Sequence, residues 1–264
     1  MTTTPSIHLT AMRGATPLVQ NITNFVAMNV MANVMLAAGA APAMVHAREE
    51  GAEFTAIASA LSINIGTLDK EWADCMALAA EAARTTGTPW VLDPVAVGAT
   101  TLRRDTGARL LQYKPTVIRG NASEILALAG SAASGRGVDS GDPVEAAEQG
   151  ARALATAQSC IVAVTGEVDF ITDGTRSARV SNGHATMPLI TALGCSLTGI
   201  VAAFVAANED AFDATVAALA FFGAAGELAA KTASGPGSFQ VAFLDALYAI
   251  TPEQLDQMAN IAAA

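Results

Sequence analysis

Basic residues are scarce in this sequence: 14 Lys and Arg stand against 24 Asp and Glu, a formal net charge of −10. A chain this acidic is a poor match for a nucleic-acid backbone or an anionic membrane surface. Cysteine is scarce too. Cys75, Cys160 and Cys195 are an odd set without short spacing. That argues against a disulfide framework or a zinc site and suits a reducing, cytoplasmic setting. The three histidines, His8, His46 and His184, lack metal-ligand spacing. There is no G-x-x-x-x-G-K-[ST] loop, no G-x-G-x-x-G after a strand, no H-E-x-x-H and no nucleophile elbow. Residues 1–8 are polar and have no apolar segment behind a basic one, so no signal peptide is expected. The longest uncharged stretch, 180–208, is interrupted by polar residues and Pro188, and its apolar part, 197–207, is too short to span a bilayer.

What is present is apolar and small: 52% of the 264 residues are hydrophobic, much of it alanine, which suits close helix packing. A chain of this length buries about three quarters of its unfolded surface and needs no staple to fold. With no linker, repeat or low-complexity tract, residues 1–264 read as one domain. Apolar periodicity alternates between short runs and helical stretches. Strands are expected at 17–20, 61–65, 90–92, 116–118 and 160–164, with a short apolar piece at 41–45. Segments 168–172 and 176–180 read as a hairpin across Asp173-Gly174. Helices are expected at 24–38, 51–60, 69–84, 101–112, 121–129 (closed by Gly130), 143–157, 195–207, 211–230, 239–249 and 252–263. The alternation predicts an α/β three-layer sandwich, a mainly parallel sheet with helices on both faces. Ligands in such folds gather at the carboxyl ends of the strands, where Asp93, Arg119 and Thr165 all fall.

Several residues near those strand ends admit two readings. Asn121-Ala-Ser-Glu124 is either a helix cap with a reciprocal carboxylate or a carboxylate aimed at hydrated Mg²⁺, and both can hold together. Asp93-Pro94 is a strand-ending turn or a second metal carboxylate. Arg119 is a surface charge or a planar donor for an ATP phosphate. Gly194-Cys195-Ser196 opens a helix: the thiol is an inert small side chain, or a proton acceptor favoured by the helix dipole. The unpaired N–H groups there suit a phosphoryl group. Asn24 reads as a helix cap, and like Asn29 and Asn33 it places an amide among apolar residues, needing a backbone or ligand partner. Gly235-Pro-Gly-Ser-Phe239 is a turn-rich loop, a plain connection or a phosphate-side wall.

Taken in order, QNITNFVAMNVMANVMLAAG (20–39), PAMVHAREE (42–50), WVLDPVAVG (90–98), VIRGNASEILAL (117–128), VTG (164–166), Gly194-Cys195 and GPGSFQ (235–240) resemble the hydroxyethylthiazole kinase family of the ribokinase-like superfamily. The resemblance covers nearly the whole chain. It implies phosphorylation by ATP of the hydroxyl of 4-methyl-5-(2-hydroxyethyl)thiazole in thiamine biosynthesis. It implies thiazole contacts at Met44, Ala192 and Asn24, ATP contacts at Arg119 and Thr165, and Mg²⁺ at Asp93 and Glu124. Gly194 and the amides around Cys195 would hold the transferred phosphoryl group, with Cys195 where most of the superfamily has an aspartate base. A homotrimer with active sites between subunits is also implied. One departure stands out: Thr191-Ala192-Leu193-Gly194-Cys195 replaces Thr-Gly-Thr-Gly-Cys, so Ala192 adds a methyl group where the family has glycine. That keeps open a kinase for another small alcohol, such as hydroxymethylpyrimidine. A ligand sensor without activity would need no metal carboxylates.

Overall fold

The computed structural model describes residues 4–132 and 143–264. The chain begins with α1 (Pro5–Ala15), β1 (Leu18–Ile22), α2 (Met28–Ala38), β2 (Ala41–Ala43), α3 (Gly51–Ile57) and β3 (Ala60–Asn64). It continues with α4 (Lys70–Thr86), β4 (Trp90–Asp93), α5 (Thr101–Leu111), β5 (Val117–Asn121), α6 (Ala122–Ala132), α7 (Pro143–Gln158) and β6 (Ile161–Thr165). The antiparallel strands β7 (Asp169–Thr172) and β8 (Ser177–Val180) follow, then α8 (Leu193–Ala206), α9 (Ala211–Ala230), α10 (Pro236–Ala249), α11 (Pro252–Met258) and β9 (Ile261–Ala263).

Local chemistry accounts for the boundaries. Asp69 accepts from the Trp72 amide and starts α4, as expected, and Gly87 closes it in the left-handed region. Gly39 ends α2 in the same way. The hairpin turns at Asp173-Gly174, with Asp173 Oδ1 accepting from the amides of Thr175 and Arg176.

All nine strands form one sheet in the order β2-β1-β3-β4-β5-β6-β7-β8-β9. The pairings from β2 through β6 are parallel and the last three are antiparallel. The central strands β3 and β4 and most of β6 are buried on both faces, which is why they read as largely apolar runs. One core lies between the sheet and α1, α2, α8, α9 and α10; the other lies beneath α3 to α7. Phe204, Phe212 and Phe221 are fully buried in the first, each contributing about 1.5–3 kcal/mol of apolar transfer. The helix α9 is long and apolar enough to cross a membrane, but 83% of its most apolar 18-residue stretch is buried within the protein.

Four expectations needed correction. Residues 5–15 form α1, whose buried His8, Leu9 and Met12 escaped notice in a polar N-terminus. Gly130 does not close α6, which runs on to Ala132. The first turn of α10 includes Pro236 to Ser238, so the expected 235–239 loop is largely helix. Residues 259–263 are not helical: α11 ends at Met258, and β9 covers the edge of β8 that would otherwise leave its ladder unpaired.

Candidate active site

The strand order places β2 on one side of β1 and β3 to β6 on the other, so the direction of the crossovers reverses at β1. The carboxyl ends of β1, β3, β4, β5 and β6 therefore share one edge. Asp93, the last residue of β4, is 2% exposed there. Its Oδ2 accepts from Asn64 Nδ2 at 2.7 Å, Thr198 Oγ1 at 2.9 Å and Arg119 Nη1 at 3.5 Å. Burial pushes its carboxyl up to about 6, with the Glu124 charge adding to the rise and Arg119, Thr198 and Asn64 opposing it.

Next to Asp93 lies a pair of buried amides. Asn64 Oδ1 accepts from Asn24 Nδ2 and from the Gly66 amide, both at 2.9 Å. Asn24 Nδ2 also reaches Cys195 Sγ at 3.3 Å, and its Oδ1 accepts from the Ala27 amide at 3.0 Å. Asn24 thus caps the turn leading into α2 and touches the thiol as well. Of the two readings of Cys195, the structure favours a thiol whose pKa is not lowered. Burial raises it, the neighbouring Asp93 charge raises it further, and the amide donors and Arg119 only partly oppose them. The dipole at the start of α8 is outweighed, and the thiol is held neutral.

The start of α8 differs from the capped starts of α4, α5, α9 and α11, where Asp69, Thr100, Asp210 and Thr251 supply side-chain acceptors. Its N-cap is Ala192, in the left-handed region at φ 66, and no side chain caps it. The Ala192 carbonyl accepts from both the amide and the hydroxyl of Ser196 at 2.8 Å. Gly194 is exposed, and the Arg119 guanidinium lies against it, donating to its carbonyl at 3.0 Å; a Cβ at 194 would sit 3.4 Å from Nη2. Arg119 Nη2 also donates to Thr165 Oγ1 at 2.8 Å, and Thr165 donates to the Gly120 carbonyl. Arg119, Thr165, Ala192 and Gly194 together line a cleft of about 1200 Å³. Its far wall is built from Gly183, Met187, Leu219 and Phe222.

Glu124 sits one turn into α6. Its Oε2 accepts from the Asn121 amide, while Asn121 Oδ1 accepts from the Glu124 amide, so the capping reading is correct. Its Oε1 accepts from the Ala96 amide at 2.9 Å, which ties the loop after β4 to this carboxylate. Each carboxylate oxygen keeps a second acceptor position. No group of three or more His, Cys, Asp or Glu suited to a metal occurs among the described residues. Asp93 and Glu124 match the one or two carboxylates that Mg²⁺ takes, with waters and phosphate oxygens for the rest. Met44 follows β2 and packs against the first core, but it is not among the residues lining the cleft.

Four contributors were missed in the sequence. Asn64 ends β3 and Thr198 lies one turn inside α8, both buried, and they hold Asp93. Asp169 lines the cleft and accepts from the Gly166 amide, its carboxyl raised to about 6 by burial. Arg103 donates to the carbonyls of Ile65, Gly66 and Val95, tying the ends of β3 and β4 together. A polar residue closing an otherwise apolar strand was the available signal for Asn64. Nothing in the sequence marked Thr198, Asp169 or Arg103.

Residues 9–253 match the model of the hydroxyethylthiazole kinase family. The chain is 66% identical over 257 residues to a hydroxyethylthiazole kinase of Cereibacter sphaeroides, covering 97% of this chain and 98% of that one. It is 64% identical over 263 residues to one of Rhizobium leguminosarum bv. trifolii, covering 99% and 98%. Among solved structures, a hydroxyethylthiazole kinase protein from Pyrococcus horikoshii OT3 superposes with a TM-score of 0.92 at 40% identity, covering 98% of each chain. A pyridoxal kinase from Staphylococcus aureus, at 15% identity and a TM-score of 0.66 over 95% of this chain, shares the ribokinase-like fold.

Proposed function

We propose a division of labour at this site from one premise: the chain belongs to the hydroxyethylthiazole kinase family. The protein phosphorylates the hydroxyl of 4-methyl-5-(2-hydroxyethyl)thiazole to the monophosphate, with ATP as co-substrate, in thiamine biosynthesis. The observation behind our assignment of roles is the uncapped start of α8 opening onto the cleft beside Arg119. Unpartnered helix-start amides and a guanidinium form a positive patch in an acidic molecule, suited to a triphosphate.

Arg119 and Thr165 hold the ATP phosphates. The terminal nitrogens of Arg119, Nη1 beside the Gly194 carbonyl and Nη2 beside Thr165 Oγ1, are the donors that lie at the cleft. The amides of Gly194 and Cys195 receive the charge of the transferred group, which matters because phosphoryl transfer is mostly positioning and charge neutralisation. As the substrate oxygen bonds to the γ-phosphorus, the bond from that phosphorus to the bridging β-phosphate oxygen breaks, ADP leaves, and the hydroxyl proton passes to an oxygen of the transferred phosphoryl group. Asp93 and Glu124 would hold Mg²⁺, which when bound neutralises phosphate charge. The three side-chain donors to Asp93 converge on Oδ2, so Oδ1 is the oxygen assigned to the ion.

Asn24, Ala192 and Met44 are assigned to the thiazole. Met44 lies past the edge strand β2, which supports a neighbouring subunit's site as its destination. Phe25, Val26, Leu36, Val241 and Tyr248 are exposed apolar side chains of the kind a homotrimer, which the resemblance implies, would cover. The three free cysteines are in keeping with a cytoplasmic location, and the continuous sheet with a single domain over 1–264.

Because the thiol is held neutral, Cys195 serves mainly to position the reacting groups. Turnover of Cys195→Ala is expected to fall by less than about 100-fold, the lower range of general-base contributions. Steady-state kinetics showing a loss of 10³-fold or more would instead make the thiol an obligatory base.

A further inference from the structure

Among the fully buried polar side chains that the mechanism leaves unused, Asn64 lies between two residues assigned to the site. Asn64 is 0% exposed and bonds on both sides of its amide. Which end is oxygen and which is nitrogen follows from its neighbours. The Gly66 amide can only donate, so it must meet Oδ1, and this turns Nδ2 toward Asp93. The same logic fixes Asn24: the Ala27 amide can only donate, so Oδ1 faces it and Nδ2 faces both Asn64 and Cys195. Two backbone donors thus set the direction of an amide chain running from the thiol to the carboxylate.

We propose that Asn64 is a positioning residue of this kinase, one amide that orients the Asp93 carboxylate directly and the Cys195 thiol through Asn24. A second observation points the same way. A Cβ at Gly66 would lie 2.7 Å from Asn24 Nδ2 and 2.8 Å from its Cβ and Cγ. The absence of a side chain at 66 is therefore what lets Asn24 approach Asn64. Thr198 is the natural control, because it holds Asp93 at 2.9 Å and has no bond to Asn24. The inference rests on the proposed reading of the site, so its test includes a readout that needs no turnover.

The variants are Asn64→Asp, which keeps volume but turns an oxygen toward Asp93, Gly66→Ala, which displaces Asn24, and Thr198→Val. Each is purified as the full chain and its thermal midpoint is checked. Alkylation of Cys195 by iodoacetamide is followed by mass spectrometry on nucleotide-free protein, and kcat and KM are measured for both substrates. Asn64→Asp is expected to lower kcat about 10–100-fold, the scale of misplacing reacting groups, with KM values within threefold. Asn64→Asp and Gly66→Ala are both expected to change the alkylation rate at least threefold, and Thr198→Val to leave it within twofold. If Asn64→Asp does not fold, Gly66→Ala carries the test. A folded Asn64→Asp or Gly66→Ala with parental kcat and parental alkylation overturns the proposal. So does a Thr198→Val effect on alkylation as large as theirs, since that would mean general loosening of the site. A parent protein without kinase activity would instead defeat the reading of the site, leaving the alkylation result to judge the amide chain by itself.

Discussion

Asp93 and Asp169 share an upward shift to about 6, and burial is the largest cause in each. Asp93 has four neighbours acting on its charge, whereas Asp169 has chiefly the Gly166 amide and a distant Arg119. That makes Asp169 the cleaner probe of burial. Its folded pKa lies above the unfolded value, so the native state takes up the proton first as pH falls. The charged form is therefore a cost to stability above about pH 6, and the cost disappears as pH falls toward 4. Asp169→Asn keeps an oxygen for Gly166 and is expected to raise stability at pH 7.5 by about 1 kcal/mol, allowing for screening at the cleft. Thermal melts across pH should show that gain fading by pH 4.5; a gain constant with pH would contradict burial as its source. Single residues were unevenly legible in the sequence. Asp93, Arg119, Thr165 and Gly194 come together as expected, because strand ends and a helix start are visible in apolar patterns. The two readings of Cys195 could not be separated in the sequence, because the dipole is local and readable whereas burial and the Asp93 charge arise only from folding. Ala192 was marked as a departure, and its φ of 66 shows the reason it matters: a left-handed alanine costs about 1–2 kcal/mol where glycine costs nothing.

Among the elements, α8 links the core to the chemistry. Its apolar length packs over β1, β3 and β4, and this burial aims its first turn at the cleft. Its neighbour α9 builds the opposite wall through a close approach at Gly223. A Cβ there would lie 2.6 Å from the backbone carbon and oxygen of Asn182. Backbone cannot swing aside as a flexible side chain can, so Gly223→Ala should destabilise by about 1–3 kcal/mol, the range for overpacking. Denaturant melts should show this loss together with a raised KM for ATP, since Asn182 and Gly223 both line the cleft. A fully stable variant would mean that the 181–190 segment moves freely. Helices with strong punctuation, such as α4 between Asp69 and Gly87, were read correctly from sequence. The strand β9 was not, because three residues carry no period and their pairing with β8 is a long-range contact.

At the scale of the molecule, the alternating pattern was enough to expect a layered α/β fold, and the sheet order beyond it was not, because register across parallel strands leaves no mark in local sequence. Exposed apolar side chains are the other whole-molecule feature. Leu36 and Tyr248 are 61% and 78% exposed in the single chain. Placing a charge in a packed subunit interface is strongly unfavourable. If Leu36 lies in the interface of the proposed homotrimer, Leu36→Asp is expected to shift the mass measured by light scattering from three chains toward one, with activity falling alongside. A parent protein of single-chain mass would refute the trimer. The central claim is that the cleft lined by Arg119, Thr165 and Gly194, with the carboxylates at 93 and 124, transfers phosphate from ATP to the thiazole alcohol. It is tested most directly by coupled ADP release from the full-length protein, with and without the alcohol and with and without Mg²⁺. The account predicts ADP formation that requires both and is abolished in Asp93→Asn; alcohol-dependent ADP release that is unchanged in Asp93→Asn would contradict it.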